Sequence, residues 1–164
     1  YKGKNNFVAH ECILDFRDLK SKTGLSVNDL AKRLIDYSFH APTISWPVPE
    51  TIMIEPTESE SLVELDRFCE AMLLIGEEIS EIENNIELRN NNVISNAPHT
   101  LKELIADNWH YPYSKEKASF PYKTPTSIKF WSSVSRINNA YGDRNLICSC
   151  NVNQGETFEE KKCA

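Results

Sequence analysis

The stretch from Thr51 to Ile82 constrains the fold most, because it joins a short apolar strand to the longest helix that the chain can form. Thr51–Ile54 is rich in β-branched residues, and Pro56 then removes a backbone donor that a longer strand would need. Thr57, followed three residues later by Glu60, has the spacing of a capping box. We therefore expect a buried strand, a proline break and a long helix capped at Thr57.

Apolar side chains recur along this helix at steps of three and four residues, which is typical of one buried face. They are Leu62, Leu65, Phe68, Cys69, Met72, Ile75, Ile79 and Ile82. Acidic residues fill many of the remaining positions and indicate a solvated face. We interpret the apolar stripe as core and infer no cofactor-binding motif from it.

The overall composition indicates one soluble domain. A chain of 164 residues with 40% apolar and 26% charged residues is ordinary for a globular protein. The net charge of −6, without clustered lysine or arginine, argues against nucleic acid as a partner. No apolar run of about 18 residues is present, so we expect no membrane association. Because the chain begins at Tyr1 rather than methionine, we expect any targeting segment to lie outside it.

The five cysteines form neither a C-x-x-C pair nor a set with histidines at the spacing of a zinc site. They are Cys12, Cys69, Cys148, Cys150 and Cys163. We expect reduced thiols and no metal site.

Residues Phe7 to Phe16 alternate in a pattern typical of a strand. The face predicted to be buried carries Val8, His10, Cys12, Leu14 and Phe16. His10 is then either a hydrogen-bonded core residue or part of a functional site. Glu11, on the other face, would meet a solvated edge or a cleft.

A helix is predicted from Val27 to Tyr37, because Ser26 and Asp29 have the spacing of a capping box and an apolar stripe begins there. The resulting order is strand, helix, strand, helix. This order favours an α+β fold with a mixed sheet and helices on one face.

The segment Phe39–Glu50 contains three prolines, which disfavour regular strand pairing and hold the chain extended. Trp46 in this segment either plugs the core or forms a wall of a binding cleft.

Local signals are weaker after Glu83. Thr100 and Glu103 predict a short capped helix over Leu101–Ile105, and His99 just before it is either a polar loop residue or a functional one. We predict an aromatic, proline-rich arm at Trp109–Tyr122 that lies on another surface, and one or two helical turns from Phe130 to Arg136. A turn at Tyr141–Asn145 then leads into a strand at Leu146–Cys150. Residues 151–164 are predicted to form a polar, frayed tail.

The chain carries no phosphate-binding glycine loop, no nucleophile motif and no lysine in a context that predicts an imine. Residue patterns alone therefore lead to a soluble α+β domain with an aromatic, proline-rich surface. A stand-alone module that binds a small molecule or a partner, without catalysis, stays open as an alternative.

Several longer motifs nevertheless occur in a defined order. They are His10–Asp15, Phe39–Pro47, Glu55–Glu60, Glu64–Cys69, Asn96–His99, Pro112–Ser114 with Phe120–Pro121, Lys129–Trp131, Arg136–Ile137 and Tyr141–Leu146. Together they resemble the C-terminal domain of glycine dehydrogenase (decarboxylating), the P-protein of the glycine cleavage system. The resemblance covers roughly Val8 to Cys150.

The resemblance implies that residues 1–150 form the small C-terminal domain of a fold-type I, aspartate-aminotransferase-like enzyme that uses pyridoxal 5'-phosphate. Such an enzyme releases carbon dioxide from glycine and passes the aminomethyl group to the lipoyl arm of the H-protein. The cofactor lysine would belong to a large domain upstream, so we expect no catalytic residue in this chain and no activity from the chain alone. A homodimer or heterotetramer is also implied, in the mitochondrial matrix of a eukaryote or the cytoplasm of a bacterium.

By the same resemblance, the active-site cleft lies between the large and small domains. The candidates to face it are His10, Glu11, His40, Thr43 and His99. We place His10, His40 and Thr43 nearest the substrate. Glu55 and Thr57 are assigned structural roles, at a strand end and a helix cap.

Two positions depart from the family pattern, which commonly has glycine where this chain has Ser38 and Glu50. If these turns need a positive φ, the glutamate is the more doubtful of the two. A different pyridoxal-phosphate decarboxylase with the same small domain is a further alternative.

Overall fold

The computed structural model of the chain describes residues 1–122 and 129–147. A 3-10 turn at Lys4–Asn6 precedes the regular elements. These are β1 (Cys12–Asp15), α1 (Leu19–Thr23), α2 (Val27–Asp36), β2 (Thr43–Ile44), β3 (Thr51–Ile54), α3 (Leu62–Glu83), α4 (Leu101–Ile105), α5 (Lys115–Ser119) and α6 (Asn139–Arg144).

The sheet has three strands in the order β1-β3-β2, and both pairs are antiparallel. The α+β class is confirmed, whereas the expected mixed sheet is antiparallel over the described residues. Cys12 lies opposite Ile54, so β1 begins where β3 ends, just before Pro56. Residues before Cys12 have no partner on β3. The strand that was predicted to begin at Phe7 therefore begins only at Cys12.

Part of the proline-rich segment forms a strand, although its composition disfavours strand pairing. Thr43 and Ile44 precede Pro47 and form β2 opposite Met53 and Ile52 of β3. Trp46 is 66% exposed, so the alternative in which it plugs the core is wrong.

The long helix α3 is confirmed, but its cap differs from the prediction. The Ser61 hydroxyl accepts a hydrogen bond from the Glu64 backbone N–H at 3.3 Å, and the helix begins at Leu62. The Thr57 hydroxyl instead lies 2.7 Å from the hydroxyl of Ser59. Thr57 and Ser61 each have a glutamate three residues later, but only Ser61 is followed directly by the apolar stripe.

The core lies where the apolar faces of α2 and α3 meet the sheet and the segment after α3. Its fully buried members include Leu25, Leu30, Leu34, Ile52, Ile75, Ile82, Val93 and Ile94. The capping box predicted for α2 is present, with the Ser26 backbone N–H donating to the Asp29 carboxylate at 2.8 Å. Burial of these side chains supplies the main favourable term in folding.

A buried charged group ties three helices together. The Arg33 guanidinium of α2 is bound by Glu78 of α3 and by Asp36 at the end of α2. It also donates to the carbonyl oxygens of Lys117 and Ala118 in α5, each at 2.7 Å. Burial opposes its charge, but the two carboxylates raise the pKa of Arg33 above its ordinary value.

The second half of the chain contains confirmed and corrected predictions. Helix α4 has the expected capping box between Thr100 and Glu103. The arm at Trp109–Tyr122 contains α5 and contributes Tyr113 and Ala118 to the core of this domain, so it does not extend away from it.

Corrections and open predictions remain at the C-terminal end. Phe130–Arg136 is not helical, and the predicted turn at Tyr141 lies within α6. Of the predicted strand Leu146–Cys150, the first two residues are irregular and the rest lie outside the described residues, as do the tail and Cys163. Among the described helices, none combines the length and the apolar character needed to cross a membrane.

Candidate functional site

Four of the five predicted cleft residues belong to segments that enter the sheet at the same end. Because β3 is antiparallel to both neighbours, the starts of β1 and β2 lie beside the end of β3. His10 and Glu11 immediately precede β1, and Thr43 is the first residue of β2. His40 lies on the loop that leads into β2. We call this region the sheet end.

A cluster of three ionisable side chains forms at the sheet end. The Nε2 atom of His10 lies 3.2 Å from the Oε1 atom of Glu11. The Glu55 carboxylate lies close to both, because one ring nitrogen of His10 and one carboxylate oxygen of each glutamate all lie within 4.8 Å of one another. The register of β1 and β3 explains this, since Glu11 and Glu55 flank the Cys12 and Ile54 pair. Two like charges facing each other across neighbouring strands are unfavourable.

The exposure of His10 rules out one of its two predicted roles. Its side chain is 80% exposed, so the hydrogen-bonded core role is wrong. Glu55, assigned a structural role from the sequence, is instead a member of the cluster. The signal for it was its position directly after β3, opposite the residue that precedes β1.

His40 and Thr43 are also exposed. The loop that carries His40 is fixed to α3 on its other side, because the Arg67 guanidinium stacks 3.8 Å from the centroid of the Phe39 ring. Arg67 also donates to the Tyr37 carbonyl oxygen at 3.0 Å. The backbone beside His40 is therefore held in place while the imidazole remains exposed.

His99 is the exception among the predicted residues, because it is only 2% exposed. Its Nδ1 donates to the Asp36 carboxylate at 2.8 Å, and its backbone N–H donates to the same carboxylate at 2.8 Å. Its Nε2 atom lies 2.8 Å from the Tyr113 hydroxyl, and burial raises the pKa of Tyr113. His99 thus joins α2 to the aromatic segment as a buried polar residue and is not part of the exposed cluster.

Sequence reasoning missed Lys129. Its ammonium group donates to the Asp36 carbonyl oxygen and lies 5.1 Å from the centroid of the Trp131 ring. Burial lowers the pKa of Lys129 to about 8, and the Asp36 charge opposes that shift only in part. The sequence signal that could have identified Lys129 as a partly buried lysine is its position directly before Phe130 and close to Trp131.

The charge of the sheet end indicates which chemical groups it can accept. Two carboxylates beside one imidazole attract a cation or an ammonium group and repel a phosphate. A cationic amine is therefore the group that this surface suits best.

Comparison with known proteins identifies the family. A family model described as "Glycine dehydrogenase, C-terminal domain" matches residues 1–99. Glycine dehydrogenase (decarboxylating) from Prochlorococcus marinus (strain NATL1A) is 61% identical over 150 residues, which cover 92% of this chain and 16% of that protein.

Two further relatives come from distant organisms. The protein named glycine dehydrogenase (decarboxylating), mitochondrial, from Dictyostelium discoideum is 57% identical over 92% of this chain and 15% of its own length. Glycine dehydrogenase (decarboxylating) from Vibrio parahaemolyticus is 57% identical over 92% of this chain and 16% of its own length. The chain thus spans about a sixth of the curated relatives that it matches, and it belongs to the glycine dehydrogenase C-terminal domain family.

Proposed function

We propose that this chain is the small C-terminal domain, of the fold-type I class, of a pyridoxal-phosphate-dependent glycine decarboxylase. The observation that carries the proposal is the 61% identity to a glycine dehydrogenase (decarboxylating) over 92% of the chain. Because the chain spans 16% of that relative, the activity is proposed for the intact polypeptide. The chain alone is expected to be inactive.

The sheet end does not fit the phosphate of pyridoxal phosphate, since it carries Glu11 and Glu55 side by side. The remainder of the intact polypeptide would hold the cofactor, which supplies an electron sink for decarboxylation when bound. This chain would contribute one wall of the cleft. Its role would be to bind and orient the substrate and to exclude water.

We assign the substrate side of this wall to His10, Glu11, His40 and Thr43. The carboxylate of Glu11 would attract the glycine ammonium group, and the Thr43 hydroxyl can donate or accept a hydrogen bond. The His10 imidazole can hold a proton at Nε2 beside the Glu11 carboxylate. His99 would act from the core, by fixing the end of α2 through Asp36, from which the His40 loop departs.

The test uses the intact polypeptide with His10→Gln and His40→Ala. We expect each variant to lower turnover per folded molecule while the unfolding temperature stays near that of the wild type, because both side chains are exposed in this domain. His110→Ala, at another exposed histidine, is the matched control and should change neither quantity. Lost stability with normal turnover per folded molecule would contradict a cleft role for either residue.

The partners proposed for the intact polypeptide are glycine, the lipoylated H-protein and its own large domain, within a homodimer or heterotetramer. Glycine-dependent exchange of carbon dioxide with a lipoylated carrier tests the substrate and partner together. Exchange with another amino acid only would favour a different decarboxylase with the same small domain. The Dictyostelium and bacterial relatives support a mitochondrial matrix location in a eukaryote or a cytoplasmic one in a bacterium.

A further inference from the structure

We propose that the residues preceding Tyr1 in the intact polypeptide form a fourth strand, antiparallel to β1, and that this strand fills an apolar groove between β1 and α3. The inference rests on the proposed function in one respect, which is that this chain is the C-terminal part of a longer polypeptide.

The groove has a volume of about 470 Å³. Its walls are Leu14 of β1, Phe16 directly after β1, Ile54 of β3, and side chains of α3 that include Phe68, Met72 and Leu73. Leu73 is 71% exposed although it lies on the longest helix of the domain. A contiguous apolar surface of this kind marks a site that another segment covers.

Among residues 1–122 and 129–147, no strand pairs with the edge of β1 that faces away from β3, and this edge lies beside the groove. The Phe16 N–H donates to the Glu50 carbonyl oxygen at 2.9 Å, so the even-numbered residues of β1 are those that bond to β3. In an antiparallel ladder the alternate residues point their backbone groups away from that partner. The N–H and C=O groups of Ile13 and Asp15 therefore face outward, at the position where a further strand would pair.

The position of Tyr1 identifies the occupant. Its nitrogen donates to the Ile13 carbonyl oxygen at 2.8 Å, so Tyr1 already lies where a residue of the next strand would lie. The chain then reverses direction between Tyr1 and Cys12 through the turn at Lys4–Asn6. Residues preceding Tyr1 would accordingly run antiparallel to β1, alongside Leu14 and Phe16, which line the groove.

The relatives supply the required length of chain. The matching family model is described as a C-terminal domain, and this chain spans 16% of the Prochlorococcus relative, so most of such a polypeptide precedes the matched region. A segment that is covalently joined to Tyr1 also has a high effective concentration at the groove. We therefore assign the groove to this segment rather than to a second copy of the chain.

Amide hydrogen exchange tests the assignment in the intact polypeptide and in a version that begins at Tyr1. We expect the Asp15 amide to exchange at least about tenfold more slowly in the intact polypeptide, because its partner in the added strand precedes Tyr1 and its opening then requires separation of that strand. The Leu14 amide is the internal control, since it faces β3 in both versions. Equal exchange of Asp15 in both versions would overturn the proposal, as would protection that depends on protein concentration.

A second measurement remains informative if the shorter version does not fold. Within the intact polypeptide, the Asp15 amide should be as protected as that of Leu14, and rapid exchange at Asp15 alone would overturn the assignment. Leu73→Glu should lower the unfolding temperature of the intact polypeptide by several degrees, and an unchanged temperature would count against a filled groove. Neither readout depends on glycine turnover, so the failure of this inference and the failure of the proposed activity can be told apart.

Discussion

Arg33 and Glu78 form a two-pronged ion pair that joins α2 to α3, with the Nε and Nη2 atoms of the arginine 3.0 and 2.6 Å from the two carboxylate oxygens. The guanidinium is completely buried. Its remaining donors bind Asp36 and two carbonyl oxygens of α5, so this one side chain fixes the positions of three helices.

We predict that Arg33→Met destabilises the domain by about 3 to 5 kcal/mol, because it leaves the Glu78 and Asp36 carboxylates buried without a counter-charge. The measurement is the free energy of unfolding from urea titration. Arg17→Ala removes the exposed pair with Asp15 and should have little or no effect, although that pair lowers the pKa of Asp15 to about 2. Similar losses in the two variants would contradict the dominance of the buried pair.

Lys129 predicts a specific dependence of stability on pH. Burial lowers its pKa to about 8 from an ordinary value of 10.5, so the unfolded chain binds more protons than the folded one between these values. The contribution of Lys129 to stability should therefore rise as the pH increases from about 8 to 10.5. The difference in unfolding free energy between the wild type and Lys129→Met should show this rise, and a difference that is flat with pH would disprove it. Lys102→Met, at an exposed position, is the control.

The backbone at Ser38 and Glu50 predicts that glycine is favoured there over alanine. Their φ angles are 66° and 56°, in the left-handed region where a Cβ atom is unfavourable. Both side chains also accept a backbone N–H, from Phe130 and Val27 respectively, and alanine and glycine lose that bond equally. At each site the glycine variant should exceed the alanine variant in stability by about 1 kcal/mol. Equal stabilities of the two variants would show that the strain is relieved elsewhere.

The corrected start of α3 can be tested at its two potential caps. Ser61→Ala should cost about 1 kcal/mol, because the Glu64 N–H loses its acceptor at the helix N-terminus. Thr57→Ala should cost much less, since the Thr57 hydroxyl bonds to the exposed hydroxyl of Ser59 and not to a backbone N–H at the start of the helix. Thermal or urea unfolding of both variants provides the comparison, and a larger loss at Thr57 would restore the boundary predicted from the sequence.

Local features were predictable where neighbouring residues determine them. The capping boxes at Ser26 and Thr100 and the stripe along α3 depend on spacing within one or two helical turns. The structure confirms the two boxes and the part of the stripe formed by Phe68, Met72, Ile75, Ile79 and Ile82. Leu62 and Cys69, also predicted to be core residues, are exposed. The choice between Thr57 and Ser61 failed because both have a glutamate at the same spacing. The extent of β1 failed because it depends on where β3 ends, which is a contact between residues about 40 positions apart.

The candidate site likewise combines features that sequence motifs predict with features that depend on contacts between distant residues. Ordered motifs selected His10, Glu11, His40, Thr43 and His99, and the glycine positions of the family pattern correctly marked Ser38 and Glu50 as turns with positive φ. The motifs could not separate the exposed His10 from the buried His99, because each lies in a polar stretch next to apolar residues. They also missed the proximity of Glu55 to His10 and Glu11, which requires the register of β1 and β3.

By itself, the sequence of this protein determined the family, the order of its main elements and the caps and stripes of its helices, because these depend on residue identity and on short-range spacing. Only the tertiary structure decided which polar residues are exposed, how Arg33 joins three helices and which edge of the sheet is left open. These features depend on the burial and pairing of residues that are distant in the chain, and no local pattern records them.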